Sequence, residues 1–270
     1  MSKVWFVTGS SRGIGREIVQ AALSRGDRVA ASARNPETLK DLVDEYGDAI
    51  LALELDVTDR DRAFEAIAEA HEQFGRLDVI VNNAGYGLFG AFEEVSEQDF
   101  RDVLEANLFG SFHVTRAAIP VLREQGSGHI VQISSGAGLV NFPAFGAYNA
   151  SKFAVEGLFG ELASEIEQFG IKVTIVEPGA YDTEAPTTAA KRSKQLPYYD
   201  RVREMLAEQS AAATLNDPAA AGAAMLELVD LPEPPRRVLF GKDVLSMAQQ
   251  VYADRLVEWQ RWADFGERAG

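Results

Sequence analysis

Tyr148 and Lys152 are the two residues of this sequence best placed to do chemistry together. Residues four apart share one face of a helix, so in Tyr148-Asn149-Ala150-Ser151-Lys152 the phenol and the ammonium point the same way. A free tyrosine has a pKa near ~10 and is a poor base at neutral pH. A nearby lysine cation favours the phenolate and suits the pair to exchange a proton with an alcohol or ketone oxygen. Upstream, Ile130-Val131-Gln132-Ile133-Ser134-Ser135 reads as a strand ending in hydroxyls. A serine there can hydrogen-bond a reacting oxygen and orient it.

A second group of residues suits an anion. Thr8-Gly9-Ser10-Ser11-Arg12-Gly13-Ile14-Gly15 closes the first apolar run and opens a helical pattern. Glycines there let the chain turn tightly and let a pyrophosphate approach the backbone, while the helix N-terminus offers free N–H groups. The spacing is G-x-x-x-G-x-G rather than the general G-x-G-x-x-G fingerprint. An NAD site wants an acidic residue at the end of the second strand, about 20 residues on. Here that strand ends Ala31-Ser32-Ala33-Arg34. Arg34, with Arg12 in the turn, suits the 2′-phosphate of NADP(H).

These residues need a scaffold, and the pattern supplies one. Strands are expected at Val4–Thr8, Arg28–Ala33, Ile50–Leu55, Val79–Asn82, His129–Ser134, Lys172–Glu177 and Arg237–Phe240. Helical periodicity fills Gly15–Ser24, Arg60–Phe74, Phe100–Leu122 and Tyr148–Phe169. The alternation predicts an α/β chain: one Rossmann-type domain over 1–270, a doubly wound parallel sheet of about seven strands with helices on both faces. Two stretches break the rhythm. Residues 180–215 read as a substrate lid. Residues 243–265 read as an amphipathic helix, with Leu245, Ala248, Tyr252, Leu256 and Trp259 three or four apart.

In motif and order the chain resembles the classical short-chain dehydrogenase/reductase family over nearly its whole length. The resemblance rests on Thr8 to Gly15, Asp56-Val57, Asn82-Asn83-Ala84-Gly85, Asn107, Ser135, Tyr148/Lys152 and Pro178-Gly179. It implies Tyr148 as general acid/base, Lys152 as binder of the nicotinamide ribose, and Ser135, rather than Ser134, as the group orienting the carbonyl. Asn107 would hold a water linking Lys152 to solvent. Gly9, Ser11, Arg12, Gly13, Ile14, Gly15 and Arg34 would bind the phosphates, and Asp56 and Val57 the adenine. Asn83, Ala84, Gly85, Pro178, Gly179 and Thr183 would frame the nicotinamide half; capping or turn chemistry stays open for Asp56 and Thr183. The implied activity is hydride exchange between NADP(H) and a carbonyl or alcohol, with the cofactor doing the redox step. Family members are often dimers or tetramers, so a homodimer or homotetramer is an expectation too. Two other readings stay open: a non-catalytic NADP(H)-binding redox sensor, and a related dehydratase or epimerase.

Composition removes several classes. The 270 residues carry a formal charge of −15, which disfavours nucleic acid and anionic membrane surfaces. There is no cysteine, so disulfides, thiolate catalysis and cysteine-ligated zinc are excluded. His71, His113 and His129 lack metal-ligand spacing and read as ordinary surface or edge residues, so no metal is expected. The chain enters a strand pattern at Lys3 without a signal core and holds no apolar run near the ~20 residues that span a bilayer; a cytoplasmic protein is expected. By family position the residues near the site are Leu88, Phe89, Leu139, Val140, Phe142 and Phe145, with Leu196, Pro197 and Tyr198 from the lid. They suggest a hydrophobic ketone, aldehyde or alcohol, and the reading that several merely pack stays open beside it. Val176-Glu177-Pro178-Gly179 is similar to the hydroxysteroid and retinol dehydrogenases of that family.

Overall fold

The structure, a computed structural model of the chain, describes residues 2–183, 190–212 and 215–270, and of 209–212 the backbone alone. In chain order the strands are β1 (Val4–Thr8), β2 (Arg28–Ala33), β3 (Ile50–Glu54), β4 (Val79–Asn82), β5 (Leu88–Phe89), β6 (Gly128–Ile133), β7 (Ile171–Pro178), β8 (Lys191–Arg192) and β9 (Arg237–Phe240). Seven of them make one sheet in the order β3-β2-β1-β4-β6-β7-β9, and every pairing is parallel. This is the doubly wound sheet the alternation predicts. β5 and β8 pair separately, two residues against two.

Side chains alternate across a strand, and β1 shows what that does to the core. Val4 and Phe6 enter one apolar layer, with Leu77, Ile80, Val114 and Phe159. Trp5 and Val7 enter the other, with Ile18, Leu39, Val131 and Met225. All four β1 residues are fully buried. Each such side chain contributes about 1.5–3 kcal/mol by leaving water, so both faces must be covered.

The covering helices are α1 (Gly13–Ser24), α2 (Lys40–Tyr46), α3 (Arg60–Phe74), α4 (Glu97–Leu104), α5 (Gly110–Gln125), α6 (Gly146–Ile166), α7 (Asp200–Ala212) and α8 (Pro218–Asp230). α3 starts where Asp59 accepts the Arg62 N–H and stops at Gly75, whose φ of 76° suits only a residue without Cβ. The periodic segment read as one helix over 100–122 is three pieces: α4, a π-turn at Glu105–Phe109, and α5. A π-turn inserts one residue without glycine or proline to mark it, and such turns gather at functional sites. Here it carries Asn107.

Strand order reverses between β1 and β4, so their carboxyl ends open a crevice. Residues 184–189, 213 and 214 of the expected lid lie outside the described residues. The rest of it is not a plain loop, since it holds β8 and α7. The C-terminal helix is α9 (Val244–Arg261), broken at Trp262 before α10 (Ala263–Glu267). Its first turn packs through the buried Val244, but farther along its apolar stripe is exposed: Leu256 is 60% and Trp259 62% exposed, and Trp262 and Phe265 are exposed as well. Among the described residues no helix is long and apolar enough to cross a membrane.

One histidine departs from the surface-or-edge reading. His129 is 5% exposed, its Nε2 2.9 Å from Thr174 Oγ1. Thr174 donates its own proton to Pro235 O, so the ring nitrogen is the donor of that pair. Burial first, then the charges of Lys172 and Lys3, push the imidazole down to about 4. Between the ordinary histidine value and about 4 the unfolded chain binds a proton that the folded chain refuses. Stability therefore falls as pH drops through that window, by roughly 3 kcal/mol at its acid end. Urea denaturation of His129→Gln should show that loss largely removed between pH 6.5 and 4; an acid profile parallel to the parent's would contradict it.

Candidate active site

The crevice is built by a knot between the ends of β1 and β4. The Thr8 hydroxyl accepts the N–H groups of Asn83 (2.9 Å) and Ala84 (3.0 Å), and Asn83 Nδ2 donates to the carbonyls of Thr8 (2.9 Å) and Gly9 (3.0 Å). The glycines follow from this closeness. Gly9 has φ +68°, and a Cβ there would stand 2.8 Å from Ala84 Cα; a Cβ on Gly15 would stand 2.2 Å from Asn83 Nδ2. Gly15 and the Asn83 amide thus brace the turn. The sequence reading quoted Thr8 but gave it no task; a threonine ending the first strand was the available signal.

A cleft of about 790 Å³ opens over this knot. Gly9, Ser11, Arg12, Gly13 and Ile14 line one part, and Arg34, Asp56 and Val57 another. Asn83, Ala84, Gly85 and Thr183 complete the expected set on its wall. Gly15, Pro178 and Gly179 are not on that wall, and Gly179 instead donates its N–H to Phe240 O at 2.8 Å. Arg12 is the N-cap of α1 and makes no side-chain capping hydrogen bond there, and a helix start of this kind suits an anion. Asp56 Oδ1 accepts from the N–H (3.0 Å) and hydroxyl (2.8 Å) of Thr58, a turn-making role. Tyr86, Asp102, Glu105 and Lys191 also line the cleft and were not foreseen. Lys191 comes from the lid strand, and its ion pair with Asp99 of α4 depends on a fold contact no local pattern announces.

The four expected catalytic residues sit deeper, where β6 meets α6. Ser135 follows β6 and caps a short 3₁₀ turn by accepting the Ala137 N–H at 3.1 Å. Tyr148 lies in the first turn of α6, with its phenol near enough to the Ser135 hydroxyl for that group to draw its pKa down. Lys152, 6% exposed, holds its Nζ 5.8 Å from the Tyr148 ring centre and donates to Ile133 O at 3.0 Å. Ser135, Tyr148 and Lys152 therefore converge. Asn107 is fully buried and stands one layer back: it donates to Tyr86 O and to Ser151 Oγ, both at 3.0 Å, and accepts the Tyr86 N–H at 2.9 Å. It ties the loop after β4 to α6.

The electrostatics differ from the sequence expectation of a phenol lowered by its lysine. Burial pushes the Tyr148 phenol up, with the Ser135 hydrogen bond pulling the other way. Burial also pushes the Lys152 ammonium down to about 8, opposed by the charge of Glu156. The reason is that both groups are taken out of water together, and desolvation penalises the charged form of each.

An aromatic wall leads to Tyr148. The Phe89 and Phe145 rings are 4.0 Å apart, and Phe145 stands 6.1 Å from Phe142 and 6.2 Å from Tyr148. Arg192 of β8 lies over Phe89 at 4.7 Å. Of the other apolar residues expected here, Leu88 and Val140 are buried packing groups, Leu139 is half-buried, and Pro197 and Tyr198 face solvent. Leu196 donates its N–H to the buried Glu94 carboxylate, which also accepts from Ala91 and Arg203. These bonds, the Leu196 one foremost, hold the Glu94 carboxyl below its ordinary range. They dock the described part of the lid onto the loop after β5.

Known proteins share this arrangement. Residues 3–194 match the family model described as short chain dehydrogenase. An oxidoreductase of Botryotinia fuckeliana, BOA17, is 38% identical over 268 residues, 98% of each chain. A short-chain dehydrogenase from Streptomyces avermitilis has a crystal structure that superposes with a TM-score of 0.93 at 40% identity, covering 100% of this chain and 98% of that one. An alcohol dehydrogenase from Thermococcus sibiricus, solved with 5-hydroxy-NADP, is 27% identical with a TM-score of 0.74, covering 89% of this chain and 96% of that one. With a cleft over the β1–β4 knot, Ser135, Tyr148 and Lys152 brought together, and these likenesses along its length, the chain belongs to the short-chain dehydrogenase/reductase family of oxidoreductases.

Proposed function

We propose that this chain interconverts a hydrophobic ketone or aldehyde and its alcohol, using NADP(H). The observation that carries the reading is that Tyr148 and Lys152 share the face of α6 set against the end of β6 beside Ser135, with the Lys152 ammonium 5.8 Å from the Tyr148 ring centre and donating to Ile133 O. The cleft suits the cofactor: Gly9, Ser11, Gly13 and Ile14 bring main chain to its wall at the start of α1, whose N-cap makes no side-chain capping bond, and Arg12 and Arg34 line it as well. When bound, NADPH supplies the hydride. Arg34 and Arg12 would hold its 2′-phosphate, a preference in keeping with the alcohol dehydrogenase relative solved with an NADP derivative.

The protein's own part is proton delivery and positioning. A phenol raised by burial keeps its proton through the neutral range, so Tyr148 is set to donate to an oxygen gaining negative charge. Ser135 would hold that oxygen by a hydrogen bond, and the Lys152 cation would stabilise the phenolate left behind. This favours the reductive direction. Phe89, Phe142 and Phe145 give the substrate an apolar wall to lie against.

Three outcomes are expected. Tyr148→Phe should lower carbonyl reduction by about 10²–10⁴-fold while NADPH affinity, read by fluorescence titration, stays within about twofold; retained turnover would remove Tyr148 from this role. Arg34→Ala should weaken NADPH about tenfold or more and leave NADH nearly unchanged, the loss of one charge-assisted contact; equal loss for both would refute the phosphate contact. Lys152 is charged below about 8 and loses its proton above it, so kcat/KM for reduction should decline as pH rises through that value. A profile flat to pH 10 would contradict the ammonium's part.

A further inference from the structure

One turn beyond Lys152 lies a buried charge cluster that the chemistry above does not use. Glu156 follows Lys152 by four residues, so the two side chains share a face of α6. Glu156 is 8% exposed, and Glu177, near the end of β7, is 2% exposed. Arg237 of β9 stands between them: its Nε is 3.2 Å from Glu156 Oε2 and 3.9 Å from Glu177 Oε1, and its Nη2 donates to the Glu156 main-chain oxygen at 3.4 Å. The charged groups bearing on the pair are thus Lys152 from α6 and Arg237 from β9, while Ser134 Oγ and Glu156 Oε1 both border Gly138, where an added Cβ would stand 2.8 Å from the first and 3.3 Å from the second.

This arrangement is costly. Glu156 Oε1, Glu177 Oε1 and Ser134 Oγ are buried without hydrogen-bond partners. One guanidinium, itself 48% exposed, serves two buried carboxylates, so their charges are coupled through it. Burial, and after it the charge of Glu156, push Glu177 up to about 7, with Arg237 pulling it back. Buried groups of this kind call for an explanation beyond packing.

We propose that Glu156 and Glu177, joined through Arg237, form a carboxyl pair that sets the charge of Lys152, with Glu156 as the buried counter-ion of that lysine. The proposal rests on the part given to Lys152 above. Glu156 and Glu177 are positioning residues, acting through the lysine and not on substrate. Below neutrality Glu177 holds its proton; as pH rises through about 7 it releases it, and a second charge then bears on Arg237 and, through Glu156, on Lys152. The second charge arrives just before burial would discharge the lysine, near 8. It extends the pH range in which the ammonium persists.

The test is a titration of Lys152 in the full chain by ¹³Cε-lysine NMR, the resonance assigned with Lys152→Arg. Glu156→Gln should lower the Lys152 pKa by about one unit or more, and Glu177→Gln by less. Glu156→Asp should stay near the parent, because it keeps the charge although it packs worse than glutamine. A packing role predicts the reverse order, with Asp the more disturbed variant. The alkaline limb of kcat/KM should move with the NMR value. An unmoved Lys152 in Glu156→Gln, or Asp more disturbed than Gln, would overturn the proposal. If Glu156→Gln does not fold, Glu177→Gln decides: a lowered Lys152 supports the pair and an unmoved one overturns it. The titration is read on the protein alone, so a failure to reduce any carbonyl would count against the proposed function and leave this readout intact.

Discussion

A lysine ammonium held out of water beside a phenol is the constraint from which the rest of the site follows. Among the described residues Lys152 donates one hydrogen bond, to Ile133 O, and its burial lowers its hold on its proton. Such a cation has to be steered by its surroundings. Along α6, Tyr148 lies one turn before it and Glu156 one turn after, on the same face. Placing that face of α6 against the end of β6 is what brings Ser135 to the phenol. The parallel sheet makes this possible, because the carboxyl ends of β1, β4, β6 and β7 all open on the same side.

The cofactor half of the cleft depends on a different and more local device. Thr8 and Asn83 fasten the ends of β1 and β4 together by four hydrogen bonds, and the glycines are the residues that this closeness leaves room for. Asn107 does similar work one layer back, where a π-turn aims its amide at Tyr86 and Ser151. Loops that would otherwise wander are thereby held against rigid elements. The two-residue pairing of β5 with β8, and the Glu94 contacts beneath it, extend the same principle to the described part of the lid.

Much of this was legible in the sequence because it is written in local periods. Alternating and helical hydrophobicity placed all seven strands of the sheet to within a residue or two, and Tyr148 and Lys152 at i and i+4 already implied a shared face. What escaped depends on contacts between distant segments. Glu156, Glu177 and Arg237 come from three elements, and nothing in their spacing announces a meeting. Lys191 reaches the cofactor cleft only because β8 pairs with β5. His129 looks like an edge residue until β7 covers it with Thr174. The direction of the Tyr148 shift was misjudged for the same reason: a motif displays the neighbouring cation but not the depth of burial. The stripe of α9 is the converse case, a clear local pattern left exposed at Leu256 and Trp259 among the described residues.

The most direct measurement is a crystal structure of the chain with NADP(H) bound. The account predicts the nicotinamide ring at the inner end of the cleft, flanked by the side chains of Ser135, Tyr148 and Lys152, with the 2′-phosphate against Arg12 and Arg34. A ring bound elsewhere, or those three side chains turned away from it, would contradict the account at its centre.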